Sequence, residues 1–445
     1  MIELPEKVKY IINTIAKAGY EAYAVGGCIR DSILGRTPDD WDITTSASPG
    51  QIKALFRRTV DTGIRHGTVT VMREGEGFEV TTYRIDGEYE DGRHPREVTF
   101  TSSLLEDLRR RDFTINAMAY NEEAGLVDAF GGVKDINAGI IRCVGSPAER
   151  FSEDALRIMR AVRFSAQLGY RIEEETAAAI RRLAPSLKNI SAERIQTELV
   201  KLLVSDHPDY LGTAYETGIT GAVLPEFDIC MKTPQNNPHH CCSVGAHILR
   251  ALREVRPHRA LRLAMLFHDM GKPECLSTDE NGVSHFYGHQ EASEKLAAQI
   301  LRRLKFDNDT IALVKKLVRY HDRPIEPTYR GVRRAMMKTG EEVFPLLLEV
   351  KRADLLAQSL YQREEKERSL SQVGVIYREI LEKKQCVSLK SLAVNGSDLI
   401  REAGMKPGRE LGETLGELLN LVVDNPDCNT REILLERARN MVKNT

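Results

Sequence analysis

The sequence predicts an α+β head built on an antiparallel sheet, followed by an all-α remainder. Three observations carry this expectation. Short stretches at residues 22–25, 68–71 and 78–83 alternate apolar and polar residues with the period of strands, the last two joined by a turn containing Gly75 and Gly77. Beyond Gly145 the chain becomes rich in Ala, Leu, Arg and Glu at helical spacing, as at Leu156, Met159 and Val162. The 445 residues also exceed the roughly 250–300 at which one core stops growing, so several domains are required. The expected division is a head over residues 1–145, a helical neck and body over 146–235, a histidine-rich insert over 236–360 and a helical tail over 361–445.

Composition excludes several classes. With 42% hydrophobic and 29% charged residues the chain reads as globular, not disordered. It contains no run of 18 apolar residues, and its first residues lack a basic stretch followed by an apolar one, so no membrane partner and a cytoplasmic location are expected. The eight cysteines include no C-x-x-C pair and read as reduced, mostly buried thiols. The net charge of −2 means that any polyanion site must come from local clustering of basic residues.

Taken in order, Pro5 opens an amphipathic helix carrying Val8, Ile11, Ile12 and Ile15, closed by Gly19. The strand at 22–25 then runs into Gly26-Gly27 and a second helix. Such a turn lets backbone N–H groups approach a polyphosphate, with the helix dipole favouring the anion. Arg30, one turn into that helix, can add a bidentate phosphate contact. Asp40 and Asp42 follow, alternating as on an extended strand, so both carboxylates point to one side. Two such carboxylates repel unless a divalent cation lies between them, and Mg²⁺ favours one or two carboxylates plus substrate phosphates. Alone, an Asp-x-Asp pair is commonly a solvated turn and a Gly-Gly a simple bend. Their union in one strand–loop–helix–strand unit points instead to metal-assisted nucleotide chemistry.

This combination, G-G-x-x-R-D followed by D-x-D, resembles the head domain of the nucleotidyltransferase superfamily, in its bacterial CCA-adding and poly(A) polymerase branch. A second motif of that branch matches residues 107–117, DLRRRDFTINA. The resemblance implies that Arg111 and Asp112 contact the nucleotide sugar and phosphates. Between the two motifs, residues 84–95 resemble the family's flexible loop, and their Gly and Pro content supports a loop independently. Glu79 stands where the family places a carboxylate on the neighbouring strand. Whether it is a third catalytic acid or a structural one stays open.

Asp154, Arg157, Arg160 and Arg163 are spaced by three, which on one helix makes a slowly drifting polar stripe. By itself such a stripe reads as an exposed ladder of ion pairs. The run from Glu153 resembles the family's base-recognition helix, which implies that Asp154 and Arg157 read the Watson–Crick edge. Cytosine and adenine both set an amine beside an acceptor nitrogen there, so one Asp/Arg pair can accept C and A and reject U and G. Arg160 and Arg163 would lie nearer phosphate or tRNA. Residues 190–201 resemble the family's neck helix, with Ser191 as its cap.

The insert holds eight of the eleven histidines. Among them, His247, the pair His268-Asp269 and the distant Asp354 combine imidazole and carboxylate in helical surroundings, a donor set suited to a borderline divalent ion. The pattern resembles an HD domain, a family of metal-dependent phosphohydrolases. That resemblance implies His247, His268, Asp269 and Asp354 as ligands of a second metal (Mn²⁺, Ni²⁺ or Zn²⁺) and leaves His289 as a further histidine of some members. The rival reading is a structural remnant. Residues 391–408 resemble the tail of bacterial CCA-adding enzymes and would grip tRNA backbone.

Together the resemblances imply addition of CCA to the 3′ end of tRNA from CTP and ATP by two-metal nucleotidyl transfer, with Asp40 and Asp42 holding Mg²⁺. The alternatives are an A-adding enzyme, a poly(A) polymerase, or an HD metallophosphohydrolase acting on nucleotides or RNA ends. The sequence leaves the oligomeric state open.

Overall fold

The computed structural model describes residues 2–86, 98–240 and 242–443. Residues 87–97, which carry most of the expected flexible loop, lie outside them. The chain divides into two compact units, residues 1–225 and 226–445. The expected boundary at 145 therefore falls inside the first unit, and the one at 360 inside the second.

In the first unit the elements follow the predicted order. Helix α1 (Glu6–Lys17) buries the stripe Val8, Ile11, Ile12 and Ile15. Strand β1 (Ala22–Val25) feeds α2 (Gly27–Ile33), then come β2 (Ile43–Thr45), α3 (Pro49–Leu55), β3 (Thr59–Gly63), β4 (Thr68–Arg73) and β5 (Glu76–Thr82). Strands β6 (Arg84–Asp86) and β7 (Val98–Phe100) pair with each other, and α4 (Leu104–Arg109), β8 (Ala119–Asn121), β9 (Gly125–Val127) and α5 (Gly132–Ala138) complete the head. The main sheet has the order β3-β4-β5-β2-β1-β8-β9. It is mixed, not wholly antiparallel: β2 and β5 run parallel, with Ile43 opposite Val80. The chain leaves β2 through α3 and the β3–β4 hairpin, and that crossover returns it in the same direction. Ile29, Ile43 and Ile52 are fully buried beside the sheet.

Helices α6 (Pro147–Glu153), α7 (Leu156–Leu168), α8 (Glu174–Leu183), α9 (Ala192–Leu203), α10 (Leu211–Glu216) and α11 (Ile219–Val223) follow. The second unit opens with α12 (Pro225–Lys232) and continues through α13 (Val244–Glu254), α14 (Arg259–Phe267), α15 (His289–Arg303), α16 (Asn308–Tyr320), α17 (Tyr329–Thr339), α18 (Phe344–Ala357) and α19 (Arg363–Glu382). It ends with α20 (Gly396–Ala403), α21 (Arg409–Asp424) and α22 (Arg431–Lys443). Helix α13 packs on α14 and α18, α16 on α14 and α15, and α17 on α21. The last contact joins the expected insert to the expected tail. Among the described residues no helix is long and apolar enough to cross a membrane.

The predicted arginine stripe does not form one exposed ladder. The helix breaks at Asp154, so α6 and α7 are separate, and Arg157 and Arg163 are buried on α7. Arg163 donates from Nε to Glu198 of α9 at 2.8 Å, and Arg160 donates from Nε to Asp112 at 2.7 Å. Asp112 also accepts from its neighbour's amide, Phe113 N, at 2.8 Å and from Asn116 Nδ2 at 3.3 Å. Phe164 lies under the guanidinium of Arg163 at 3.6 Å and meets Phe113 edge-on at 5.8 Å. Buried charge here is paired charge.

Two predictions follow from these pairs. Glu198→Ala strands Arg163 in the interior, and losing one partner of a buried pair costs about 3 kcal/mol or more, measured by urea unfolding. The second concerns acid. Burial works to raise the Asp112 carboxyl, but Arg160 and then Arg157 outweigh it and hold it at about 2. A carboxyl depressed below its unfolded value, ~3.9, contributes stability that is present above that value and lost as pH falls through the folded one. Melting curves of the wild type and Asp112→Asn should therefore differ near neutrality and converge between pH ~4 and ~2.

Candidate functional sites

The head site begins at Gly26. Its φ of 86° lies in the left-handed region that glycine favours, and it caps α2. A Cβ placed there would come 3.1 Å from Nη1 of Arg111. That approach shows where Arg111 lies: against the Gly26 turn, with its charge acting on Asp42. Arg111 is held by Asp107, which accepts from its Nη2 at 3.4 Å, and its Nε is buried without a hydrogen-bond partner. Asp107 is itself fully buried. It accepts from Nε and Nη2 of Arg110 at 2.9 and 2.7 Å and from the Thr44 hydroxyl at 3.0 Å. Burial would raise this carboxyl, yet Arg110 and Arg111 hold it below its ordinary range. Asp107 thus fixes the arginine run to strand β2.

Asp40 and Asp42 lie in the extended approach to β2, and the Asp42 carbonyl accepts from Val25 N at 2.9 Å. Because Ile43 stands opposite Val80 on the parallel neighbour, Glu79 stands opposite Asp42. All three carboxylates line one cleft of about 580 Å³, together with Asp39, Trp41 and Lys7. Desolvation by the cleft walls raises Asp42, Arg111 opposes the rise and Asp40 adds to it. Glu79 is raised by desolvation first, then by Asp42 and Asp40. Three carboxylates that lean on one another, with one arginine nearby, form a site whose charge a divalent cation would balance.

The remaining nucleotide-binding candidates are engaged with protein partners. Arg30 grips Asp31 with two hydrogen bonds of 2.9 Å and donates from Nη1 to Asn116 at 2.7 Å. Asp154 and Arg157, expected as a pair, face different partners. Asp154 accepts from Leu156 N at 3.0 Å and from Arg194 Nη2 of α9 at 2.7 Å. Arg157 bonds Glu153 and donates to the carbonyls of Arg150 and Arg110, each at 3.1 Å. The link from Arg157 to the Arg110 carbonyl ties the start of α7 to the run that holds Arg111. Sequence reasoning missed Asp107, Asn116 and Glu198 as the acceptors that orient these arginines. Their only sequence signal is that buried arginines require acceptors.

The second site gathers His247 from α13, His268 at the end of α14, Asp269 just beyond it, and Asp354 from α18, with donor atoms within 4.8 Å of one another. His247 Nε2 lies 2.9 Å from Asp354 Oδ1 and 3.1 Å from His268 Nε2. Asp269 has a second side: with His289 and His321 it forms another such group. Its Oδ2 lies 3.2 Å from His268 Nε2, and its Oδ1 lies 3.5 and 3.6 Å from Nε2 of His289 and His321. His268, His289 and His321 each direct Nδ1 to a backbone carbonyl, those of Met265, Phe286 and Val318. Carbonyls only accept, so each Nδ1 carries a proton and each Nε2 can turn a lone pair inward.

The electrostatics agree with a cation-binding centre. Burial opposes charge on His268, but Asp269 and Asp354 outweigh it and lift the imidazole to about 10, so a metal binding at Nε2 displaces a proton there. Burial likewise opposes the Asp269 carboxylate, and His268 and Lys272 hold it well below the usual range. Oδ2 of Asp269 is buried without a hydrogen bond, although Lys272 Nζ lies 2.7 Å away as an ion-pair partner. Gly271 allows the turn to pack this closely, since a Cβ there would lie 2.4 Å from Ser293 N of α15. His321 was not among the expected ligands. The signal was present, because His268-Asp269 and His321-Asp322 repeat one pattern, a histidine ending an apolar helix with an aspartate after it.

Comparison with known proteins points to one family. A family model described as the poly A polymerase head domain matches residues 22–142, one for a probable RNA and SrmB-binding site of polymerase A matches 169–231, and one for a putative tRNA nucleotidyltransferase domain 2 matches 276–438. The CCA-adding enzyme of Limosilactobacillus reuteri is 36% identical over 98% of this chain and 97% of its own. The crystal structure of the Bacillus stearothermophilus CCA-adding enzyme in complex with CTP superposes with a TM-score of 0.73 at 32% identity, covering 98% of both chains. The Thermotoga maritima CCA-adding enzyme in complex with tRNA shares the fold at 20% identity, with a TM-score of 0.59 over 99% of this chain and 96% of that one. Full-length identity at this level, on a chain whose head sets paired aspartates beside a glycine turn, places it in the family of CCA-adding enzymes.

Proposed function

We propose that the first unit adds C and A, from CTP and ATP, to the 3′ end of tRNA in the cytoplasm, without a nucleic-acid template. The observation that carries this reading is the cleft in which Asp40, Asp42 and Glu79 face one another, in a chain of CCA-adding family sequence from end to end. In the reaction the tRNA 3′-hydroxyl oxygen bonds to the α-phosphorus of the triphosphate as the α–β P–O bond breaks. Pyrophosphate leaves, and the hydroxyl proton is lost through the open cleft. Asp40 and Asp42 would hold Mg²⁺, whose positive charge would favour ionisation of the hydroxyl and balance the departing pyrophosphate. The Gly26–Gly27 turn lets the triphosphate come close to backbone, and Arg111, fixed by Asp107, meets its negative charge. Asp154 and Arg157 present a carboxylate and a guanidinium for the base edge, oriented by Arg194 and Glu153.

A second activity is favoured by one observation, the convergence of four histidines and Asp354 on Asp269. We infer a metal-dependent phosphohydrolase there. Water's oxygen bonds to the phosphorus of a phosphate ester as the ester P–O bond breaks, and the proton passes to the leaving alcohol oxygen. A divalent ion that tolerates imidazole (Mn²⁺, Ni²⁺ or Zn²⁺) supplies the Lewis acidity. His247, His268, Asp269 and Asp354 form one ligand set, and Asp269, His289 and His321 a second that shares the same carboxylate.

Pure protein incubated with tRNAs ending before C74, at C75 and complete, with each triphosphate supplied separately and with CTP and ATP together, tests the first reading. Growth of the first to a full CCA end upholds it, and A addition alone would make the chain an A-adding enzyme. Asp40→Ala or Asp42→Ala should lower addition on the order of 10³-fold or more while tRNA binding persists. His268→Ala with Asp269→Ala should lose bound transition metal and all phosphatase activity, yet leave CTP and ATP addition near wild type.

A further inference from the structure

Helices α14 and α16 end alike, each on a histidine followed by an aspartate, but they are not held alike. Every residue of α14 from Ala260 to Phe267 is buried, so packing fixes the position of His268. Helix α16 buries only Ile311, Val314, Leu317 and Val318, and beyond His321 the chain runs through the exposed Asp322, Arg323 and Pro324. The bond from His321 Nδ1 to the Val318 carbonyl sets the ring against its own helix, not the place of the helix end. That place is set by Lys351 of α18, whose Nζ donates to the His321 carbonyl at 2.7 Å and to the Arg323 carbonyl at 2.6 Å. The last carbonyls of a helix have no intrahelical donor and carry the negative end of its dipole, so an ammonium there answers both needs. Lys351 stands three residues before Asp354, on the same face of α18. One helix therefore gives a carboxylate to the first ligand set and grips the helix that carries a histidine of the second. A further tie, from Gln290 Nε2 to Asp322 Oδ2 at 2.9 Å, joins the residue after His289 to the residue after His321, but it is exposed.

We propose that Lys351 is the positioning residue of the second metal position: by clamping the end of α16 to α18 it keeps His321 Nε2 beside the Asp269 carboxylate that both ligand sets share. Without the clamp the centre holds one ion instead of two. The first set draws no ligand from α16, so it keeps its ion when Lys351 is lost. A lysine that merely covered a helix end would lower stability and spare neither set in particular. The inference rests on the metal-binding reading of the centre.

The test uses the full chain carrying Asp40→Ala and Asp42→Ala, so that the head holds no ion. It is stripped of metal and brought to equilibrium with Mn²⁺ by dialysis, the bound Mn²⁺ being counted by elemental analysis and its spin coupling read by electron paramagnetic resonance. This parent should bind two Mn²⁺ per chain with the spectrum of an exchange-coupled pair, since one carboxylate is shared. Lys351→Met should bind one, with the spectrum of an isolated ion. Lys351→Arg, whose guanidinium can also reach two carbonyls, should restore the coupled pair. Lys351→Gln, which keeps a donor but not the reach, takes the place of Lys351→Met if that variant does not fold. Two coupled ions in Lys351→Met, loss of both ions, or a parent that binds a single ion overturns the proposal. If the parent takes up no Mn²⁺ at all, the metal reading fails on its own, and the clamp is judged without metal. Diethyl pyrocarbonate should then modify His321 on the order of 10-fold faster in Lys351→Met than in the parent, because the freed helix end opens locally, and His268 at the same rate in both. Equal rates at His321 overturn the clamp.

Discussion

A buried carboxylate, Asp112, joins the parts of the first unit. It accepts from Arg160 of α7 and from Asn116, and Asn116 in turn accepts from Arg30 of α2. Arg160 and Arg163 both reach Glu198 on α9. One chain of charge-assisted bonds thus runs from the neck helices, through the 107–117 motif, to the helix that follows the Gly26–Gly27 turn. Each member is a polar group whose burial would be costly alone, so every bond depends on the next. That constraint explains why Arg157 and Arg163, which local spacing casts as part of a surface stripe, lie inside the protein. Asp154 and Arg157 are therefore carried on the same framework as the Gly26–Gly27 turn.

The two centres solve the problem of negative charge in opposite ways. The head carboxylates stand at an open cleft, where Asp40, Asp42 and Glu79 share solvent and one arginine. Such a site suits a hard, hydrated cation that arrives with a triphosphate. The second centre is closed. His247, His268, Asp269, His289 and His321 are buried, and backbone carbonyls fix the orientation of His268, His289 and His321. Imidazoles held in this way suit a more tightly bound transition metal. The contrast is one of ligand chemistry and of exposure, and each follows from the elements that supply the donors: a loop entering a sheet edge in one case, the ends of packed helices in the other.

Much of this was legible in the chain. The amphipathic stripe of α1, the strand alternation of the head, the Gly-Gly turn and the paired aspartates are all local patterns, and the structure contains them. The all-helical character of the second unit was also legible, though not its individual helices. Two features of the backbone also escaped. The parallel pairing of β2 with β5 depends on a crossover whose path no period reveals. The break between α6 and α7 arises because the Asp154 carboxylate caps the amide of Leu156 and pairs with Arg194, forty residues on.

The sequence by itself determined the chemistry available at each centre, because residue type sets which atoms can hold a metal, meet a phosphate or turn a backbone sharply. It also determined the local elements, because periodicity and glycine act within a few residues. Only the tertiary structure decided the partners. His247 meets Asp354 across 107 positions and Arg30 meets Asn116 across 86, and nothing short of the packed helices and sheet brings them together. The same packing gave Asp269 two sides and drew His321 into its circle. The reason is physical: a buried charge takes whichever counter-charge the fold places within about 3 Å, and that distance is set by packing, not by spacing along the chain.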